Sequence, residues 1–264
     1  MRGICREVVV PIRSTSSIHS EMISQMLFGE TYEVLGLESG WAKIRILEDG
    51  YVGWADIKML HTLKDEEVEE WRQSERIVVP VRYIEIEKEG AGSLVLSVGS
   101  IVSQTGPFDS MKVGGETYHI DISRFEEARK DGVVGTAKSL LNTPYLWGGR
   151  TMMGIDCSGF VQTVCRIHGI WLPRDARIQV NYGEPVKFKE LETGDLAYFR
   201  NKNGVISHVG MYIGEGKIIH STGRVRIDTL TEDGIYNYER RMFTHQLAEI
   251  RRFTKGRYGE TSIK

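Results

Sequence analysis

The chain has 264 residues, 41% of them hydrophobic and 27% charged, which is ordinary for a folded globular protein with a buried core. Thirty-four basic against 36 acidic residues leave a net charge of −2, so composition offers no clustered positive charge to call for a nucleic-acid partner. No apolar stretch approaches the roughly 20 residues that cross a bilayer. The three cysteines, Cys5, Cys157 and Cys165, are too few and too widely spaced for a disulfide framework or a CxxC zinc site. The opening Met1-Arg2-Gly3 is followed only by the short apolar run Val8-Val9-Val10, without a leader pattern. A cytoplasmic location is therefore expected; a signal segment upstream of Met1 would overturn it.

Residues 8 to 60 read as short strands with polar turns. Thr31-Tyr32-Glu33-Val34-Leu35 and Trp41-Ala42-Lys43-Ile44-Arg45-Ile46 alternate polar with apolar, as half-buried strands do. Glu38-Ser39-Gly40 and Glu48-Asp49-Gly50 are turns, and Tyr51-Val52-Gly53-Trp54 closes the unit. This spacing suggests a small β-barrel. The order Arg13-Ser14, Gly29-Glu30, Gly40-Trp41-Ala42-Lys43-Ile44, Gly50-Tyr51-Val52-Gly53-Trp54 resembles a bacterial SH3 (SH3b) domain over residues 6 to 62.

The segment from Lys64 to Arg76 carries six acidic residues around Val68 and Trp71. It is expected as a solvated connector resting one face on the barrel. Strand-like runs return at Ile77–Tyr83, Leu94-Val95-Leu96, Ile101-Val102 and Tyr118-His119-Ile120, with glycines including Gly106 between them. They are expected to form a second, degenerate SH3-like unit. The domains are thus drawn at 1–63, 64–123 and 124–264.

From Phe125 the spacing turns helical, through Val133, Val134, Ala137, Leu140 and Leu141, and Asn142-Thr143-Pro144 stops it. A shaped loop follows, Tyr145-Leu146-Trp147-Gly148-Gly149-Arg150, and then Asp156-Cys157-Ser158-Gly159-Phe160-Val161. Asp156 or Ser158 can cap a helix whose apolar stripe runs through Val164, Cys165 and Ile167. Cys157 then stands at a helix N-terminus, where the dipole and free N–H groups favour a thiolate; Cys165 lies in the stripe as a core residue. A thiol nucleophile needs a base. Of seven histidines, His208 opens one strand and His220 sits on the next, Lys217–Ser221, after a short turn. Antiparallel pairing would set them side by side, with His220 orienting His208. Each histidine taken alone is more simply a core or surface residue.

Together, Tyr145-Leu146-Trp147-Gly148-Gly149, Asp156-Cys157-Ser158-Gly159-Phe160, Arg174-Asp175, Gly194-Asp195-Leu196, His208–Gly214 and Ile219-His220-Ser221 resemble the NlpC/P60 cysteine peptidases over residues 124 to 254. The resemblance implies an α+β, papain-like catalytic domain behind one or two SH3-like barrels. It implies Cys157 as nucleophile, His208 as general base and His220 as its orienter, with no metal and no cofactor. With an SH3b region in front, the chain looks like the γ-D-glutamyl-L-diamino acid endopeptidases of the dipeptidyl-peptidase VI type. These cut murein peptides bearing a free N-terminal L-Ala. The expected partner is that peptide, the expected state a monomer.

Asp175 matches the family position that meets the substrate amine; its alternative is to cap the helix beginning at Ala176, where the family often has a hydroxyl residue. Tyr145 and Trp147 offer an aromatic wall with polar handles. Asp156 and Ser158 flank the nucleophile and are counted as substrate contacts. Glu21 and Tyr51 are the barrel's candidates for closing the groove. The Cys157 N–H, helped by the Tyr145 hydroxyl, would face the oxyanion. Two other functions compete: a wall-binding protein with an inactive catalytic domain, and an amidase or acyltransferase on the same fold. A metal site of Cys157, His208 and His220 is set aside, since a helix-start Cys-Ser-Gly is more simply a nucleophile. The basic residues Arg251, Arg252, Lys255 and Arg257 are expected in a solvated tail.

Overall fold

The computed structural model describes residues 1–103 and 110–257. Gly106, and the end of the expected tail at 258–264, lie outside the described residues. The chain divides into two compact units: Met1–Ala128 with Trp147–Met152, and Arg129–Leu146 with Met153 onward. The boundary expected at 124 thus falls after Ala128. The stretch Trp147–Met152, expected in the C-terminal domain, belongs to the first unit.

In the first unit β1 (Arg2–Ile4), β2 (Val9–Arg13), β3 (Met22–Leu27), β4 (Thr31–Glu38), β5 (Trp41–Ile46), β6 (Val52–Asp56) and β7 (Thr62–Leu63) form one sheet. Its order is β3-β2-β6-β5-β4-β1-β7. The alternation read from the sequence is real: in β5 Ala42, Ile44 and Ile46 point inward while Lys43 and Arg45 are exposed. The inward residues join Val10, Ile12, Met26 and Tyr32 in one core. β1 and β3 were not legible as strands. β1 is three residues long, and Met22–Leu27 buries both faces at its end, so no alternation marks it.

The acidic connector is helix α1 (Asp65–Gln73). Val68 and Trp71 are buried, the Trp71 Nε1–H donates to the Gly29 carbonyl at 2.8 Å, and the carboxylates take the opposite face. The expected strand at 77–83 is split in two around Val79-Pro80, where proline supplies no ladder donor. Its parts are β8 (Arg76–Val78) and β9 (Tyr83–Lys88). With β10 (Gly92–Ser97), β11 (Ile101–Ser103), β12 (Ser110–Val113) and β13 (Glu116–His119) they make a β11–β8 pair and a four-stranded sheet, β10-β9-β13-β12. These strands share a core with Ile4, Phe28, Val68, Trp71 and Phe125.

The helix expected from Phe125 to Leu141 is two helices, α2 (Phe125–Arg129) and α3 (Gly132–Ser139). Gly132 has φ +65°, a left-handed conformation that ends one helix before the next begins. Short strands β14 (Arg150–Thr151) and β15 (Gly154–Ile155) precede helix α4 (Cys157–Ile167). After β16 (Ile170–Trp171), the one-turn helix α5 (Ala176–Gln179) and β17 (Glu184–Pro185) come the strands that carry the site. They are β18 (Leu196–Arg200), β19 (Ile206–Tyr212), β20 (Lys217–Thr222), β21 (Arg224–Thr231), β22 (Gly234–Asn237) and β23 (Met242–Arg252). They form a seven-stranded sheet, β17-β23-β18-β19-β20-β21-β22, in which β23 also pairs with β22. Every residue of α4 is buried, and the helix packs on β19 and β20. The short β24 (Gly256–Arg257) runs parallel to β16.

Arg251 and Arg252 are not in a tail. They end β23, and the Arg252 guanidinium grips Asp195, with Nε donating to Oδ1 at 2.8 Å and Nη2 to Oδ2 at 2.9 Å. An arginine pair reads as solvated in sequence; here β23 is a central strand and its end meets a buried carboxylate.

Candidate active site

Cys157 is the first residue of α4, and Asp156 caps the helix, its Oδ1 accepting from the Gly159 N–H at 2.7 Å. The same carboxylate is held by Arg174: Nη1 to Oδ1 at 3.0 Å and Nη2 to Oδ2 at 2.5 Å. Arg174 Nη1 also reaches Ser158 Oγ at 2.9 Å. Asp156, Ser158 and Arg174 are all buried. Asp156 and Ser158, expected as substrate contacts, thus direct these polar atoms at the cap and at Arg174, and fix where α4 begins.

The thiol of Cys157 is not poised as a thiolate. Burial pushes its pKa up to about 12; the Asp156 carboxylate adds to the rise, while the Val209 N–H, Arg174 and the Ser158 N–H oppose it. The helix N-terminus alone was expected to favour the anion, but desolvation outweighs it. Cys165 is a core residue as read, also raised to about 12 by burial.

His208 and His220 come together as the strand pairing requires. Gly210 is opposite His220, so His208 is the diagonal neighbour on the same face. A side chain at 210 would bring its Cβ within 2.8 Å of the His220 Cβ, so glycine makes the space. His208 Nε2 lies 2.7 Å from His220 Nδ1, and His220 Nε2 lies 3.0 Å from Asp228 Oδ2. Asp228, on β21, also accepts from Arg226 Nη2 at 2.9 Å.

The proton positions follow from this chain. An ionised carboxylate only accepts, so His220 Nε2 carries hydrogen. Neutral His220 then accepts at Nδ1, so His208 Nε2 donates to it. The lone pair of neutral His208 is left on Nδ1. Burial, with His220 and His245 nearby, drives the His208 pKa well below its ordinary value. Burial also lowers His220, against the pull of Asp228. Burial alone would raise the Asp228 carboxyl, but hydrogen bonds from His220 and Arg226 hold it below the usual range.

Two members of the cluster were missed. Asp228 lies on a strand whose pairing with β20 (Ile218↔Asp228, His220↔Arg226) was not legible. His245, on β23, stacks on His208 with ring centroids 4.1 Å apart and planes 26° apart. Burial and the nearby His220 lower its pKa to about 4. It was passed over because nothing local in the sequence ties β23 to β19; their common neighbour is β18, with Phe199 opposite both His208 and Leu247.

Tyr145 is half-buried, and its phenol is raised to about 12, first by burial and then by the charges of Cys157 and Asp156. Asp175 precedes α5, and its side chain makes no capping hydrogen bond. The other three candidates belong to the first unit. Glu21 and Trp147 are joined there, the indole Nε1–H donating to Glu21 Oε1 at 2.6 Å. Tyr51, half-buried, sits in the turn before β6, with its N–H donating to Asp49 Oδ1.

The profile of the NlpC/P60 family matches residues 142–246, and that of the bacterial dipeptidyl-peptidase SH3 domain matches residues 12–60. The chain is 31% identical over 242 residues to a gamma-D-glutamyl-L-lysine dipeptidyl-peptidase of Bacillus subtilis, spanning 82% of this chain and 78% of that one. It is 26% identical to dipeptidyl-peptidase 6 of Lysinibacillus sphaericus, over 88% of this chain and 93% of that one. The crystal structure of an NlpC/P60 family protein from Bacillus cereus superposes with a TM-score of 0.79 at 21% identity, covering 96% of this chain and 99% of that one. A cysteine at a capped helix start, two bonded histidines on neighbouring strands and these matches lead to one assignment: the chain belongs to the NlpC/P60 cysteine peptidase family and carries a bacterial SH3 domain ahead of the catalytic one.

Proposed function

We propose that this chain is a cysteine endopeptidase of papain-like architecture that hydrolyses the bond between γ-D-Glu and the diamino acid of murein peptides. The substrate class has a free N-terminal L-Ala, and the setting is turnover or recycling of peptides already released from the wall. The observation that carries the proposal is the unbroken chain Asp228–His220–His208, whose two histidines stand on strands packed against the helix that begins with Cys157. The names of the Bacillus subtilis and Lysinibacillus relatives support the substrate class.

The chemistry follows from the protonation states. Thiol and imidazole are both neutral before substrate arrives, so His208 acts as a general base. Its Nδ1 takes the S–H proton as sulfur attacks the γ-carbonyl carbon. Asp228, through His220, holds the imidazole in the accepting tautomer and stabilises the imidazolium that forms. The Cys157 N–H and the Tyr145 hydroxyl receive the developing oxyanion. His208 then returns the proton to the leaving nitrogen, the C–N bond breaks, and water, activated by the same ring, hydrolyses the thioester. Asp175 is the carboxylate for the substrate ammonium.

Hydrolysis of L-Ala-γ-D-Glu-diaminopimelate beside its N-acetylated form tests this. Cleavage of the free-amine peptide alone, abolished in Cys157→Ala, is the expected result. Equal cleavage of both removes the amine pocket. No cleavage of either by the reduced protein removes the peptidase and leaves a wall-binding or acyl-transfer role.

A further inference from the structure

On β21, Arg226 stands directly opposite His220 of β20, and Asp228 follows two residues later on the same face. The Arg226 guanidinium grips both oxygens of the Asp228 carboxylate. Its Nη2 donates to Oδ1 at 2.9 Å, and Nε lies 2.7 Å from Oδ2, the oxygen that His220 Nε2 also reaches. Nη1 is left for Glu239, in the turn after β22, and donates to its Oε2 at 2.9 Å. We propose that Arg226 is a positioning residue of this site: it fixes Asp228 against His220, and its charge keeps the two bonded histidines from taking up an extra proton, so that His208 remains a base in mildly acidic solution. The proposal rests on the peptidase function above and deepens it.

With Asp228 ionised, the two rings hold one hydrogen on His220 Nε2 and one on His208 Nε2, and the second of these makes the 2.7 Å bond between them. An extra proton enters at the free His208 Nδ1. The hydrogen between the rings then either stays on His208 Nε2 or crosses to His220 Nδ1. Crossing puts the positive charge beside Asp228. Both arrangements leave His208 without the lone pair that the thiol needs.

A lone carboxylate would draw that cation onto His220 and so favour protonation of the pair. A guanidinium directly across the strand pair opposes it, because like charges facing each other on neighbouring strands repel. The Arg226 side chain is only 14% exposed, so solvent screens its charge in part. Arg226 thus offsets Asp228 as a charge and leaves its oxygen as an acceptor, which orients the ring without charging it. Burial and the Arg226 charge both act to lower the His220 pKa. The other groups around the rings, among the described residues, do not supply this charge. His245, on β23, has its ring centroid 5.8 Å from that of His220 and its pKa lowered to about 4, so it is neutral above that value. Helix α4, packed on β19 and β20, brings the neutral Cys157 thiol and the Asp156–Arg174 pair, whose charges are matched. Arg224, further along β21, is exposed and faces Glu239 at 3.8 Å.

The test follows kcat/KM against pH for L-Ala-γ-D-Glu-diaminopimelate in the wild type, Arg226→Gln and Arg226→Lys. Beside it runs an NMR titration of the His208 and His220 ring nitrogens, which needs no turnover. Arg226→Gln is expected to move the acid limb of the profile, and the midpoint of ring protonation, up by about one pH unit, a roughly tenfold gain in proton affinity. Arg226→Lys keeps the charge and loses the fork, so its limb should stay with the wild type while kcat falls several-fold. A merely structural role would lower activity in both variants with the limb unmoved, and that result overturns the proposal. Should Arg226→Gln fail to fold, the same substitution is made in Asp228→Asn, where no carboxylate is left stranded. There it should again raise the NMR midpoint, and a midpoint that does not move overturns the role of Arg226. Failure of the wild type to cleave the peptide overturns the peptidase, and the catalytic role with it; an unmoved midpoint in an active enzyme overturns Arg226 alone.

Discussion

In the first unit the Arg150 guanidinium is buried against Glu30, with Nη1 and Nη2 donating to the two carboxylate oxygens at 2.9 and 2.8 Å. Gln25 takes a further bond from Nη1 at its carbonyl, and its side-chain oxygen accepts from the Arg150 N–H. In the second unit three buried or half-buried imidazoles, His208, His220 and His245, gather over one carboxylate, Asp228, that Arg226 also holds. In the first cluster two full charges are matched in a buried site. In the second, burial strips the rings of charge, and one carboxylate decides which nitrogen keeps its hydrogen. The difference separates a structural ion pair from the cluster proposed to act in catalysis: the former fixes a loop, while the latter leaves one lone pair available.

Four experiments test that contrast. Cys157→Ala should lower hydrolysis by about 10³-fold or more, with thermal stability nearly intact, read by turnover and by calorimetry. Arg150→Met should do the opposite. It strands the Glu30 carboxylate in a dry site and should cost about 3–5 kcal/mol, seen as a lowered denaturation midpoint. Asp228→Asn is expected to lower kcat by roughly 10–100-fold, since the orienting charge acts through His220 and not directly on His208. A kcat within twofold of wild type would show that the carboxylate does not set the tautomer.

The smallest effect is acid sensitivity. His245 titrates near 4 when folded but near its ordinary 6.5 when unfolded. The unfolded chain therefore binds more protons between those values, so this contribution is full above pH 6.5 and is lost as pH falls toward 4. Acidification from pH 7 to 5 should remove ~1–2 kcal/mol through this ring, and His245→Gln should flatten that slope in pH-dependent melting curves.

Much of this was legible from local pattern. The β4–β5 hairpin followed from alternation and its turn, the α1 face from Val68 and Trp71, and the start of α4 from Asp156 and the apolar stripe behind it. Strands without alternation were not: β3 has a continuous buried end, and β21 to β23 give no short-range cue to their pairing order.

Short-range rules of capping, helical period and hairpin register were enough to name the side chains able to react and the strand neighbours that meet. They placed Cys157 at a helix start and His220 beside His208. The protonation states and the rest of the cluster depend on packing between distant segments. Desolvation at Cys157 reversed the expectation from the helix dipole, since burial is a property of the packed sheet and not of the helix. Likewise Asp228 and His245 reach His220 and His208 through strands distant in sequence or unread in their pairing, and no periodicity in one segment reports the register of another.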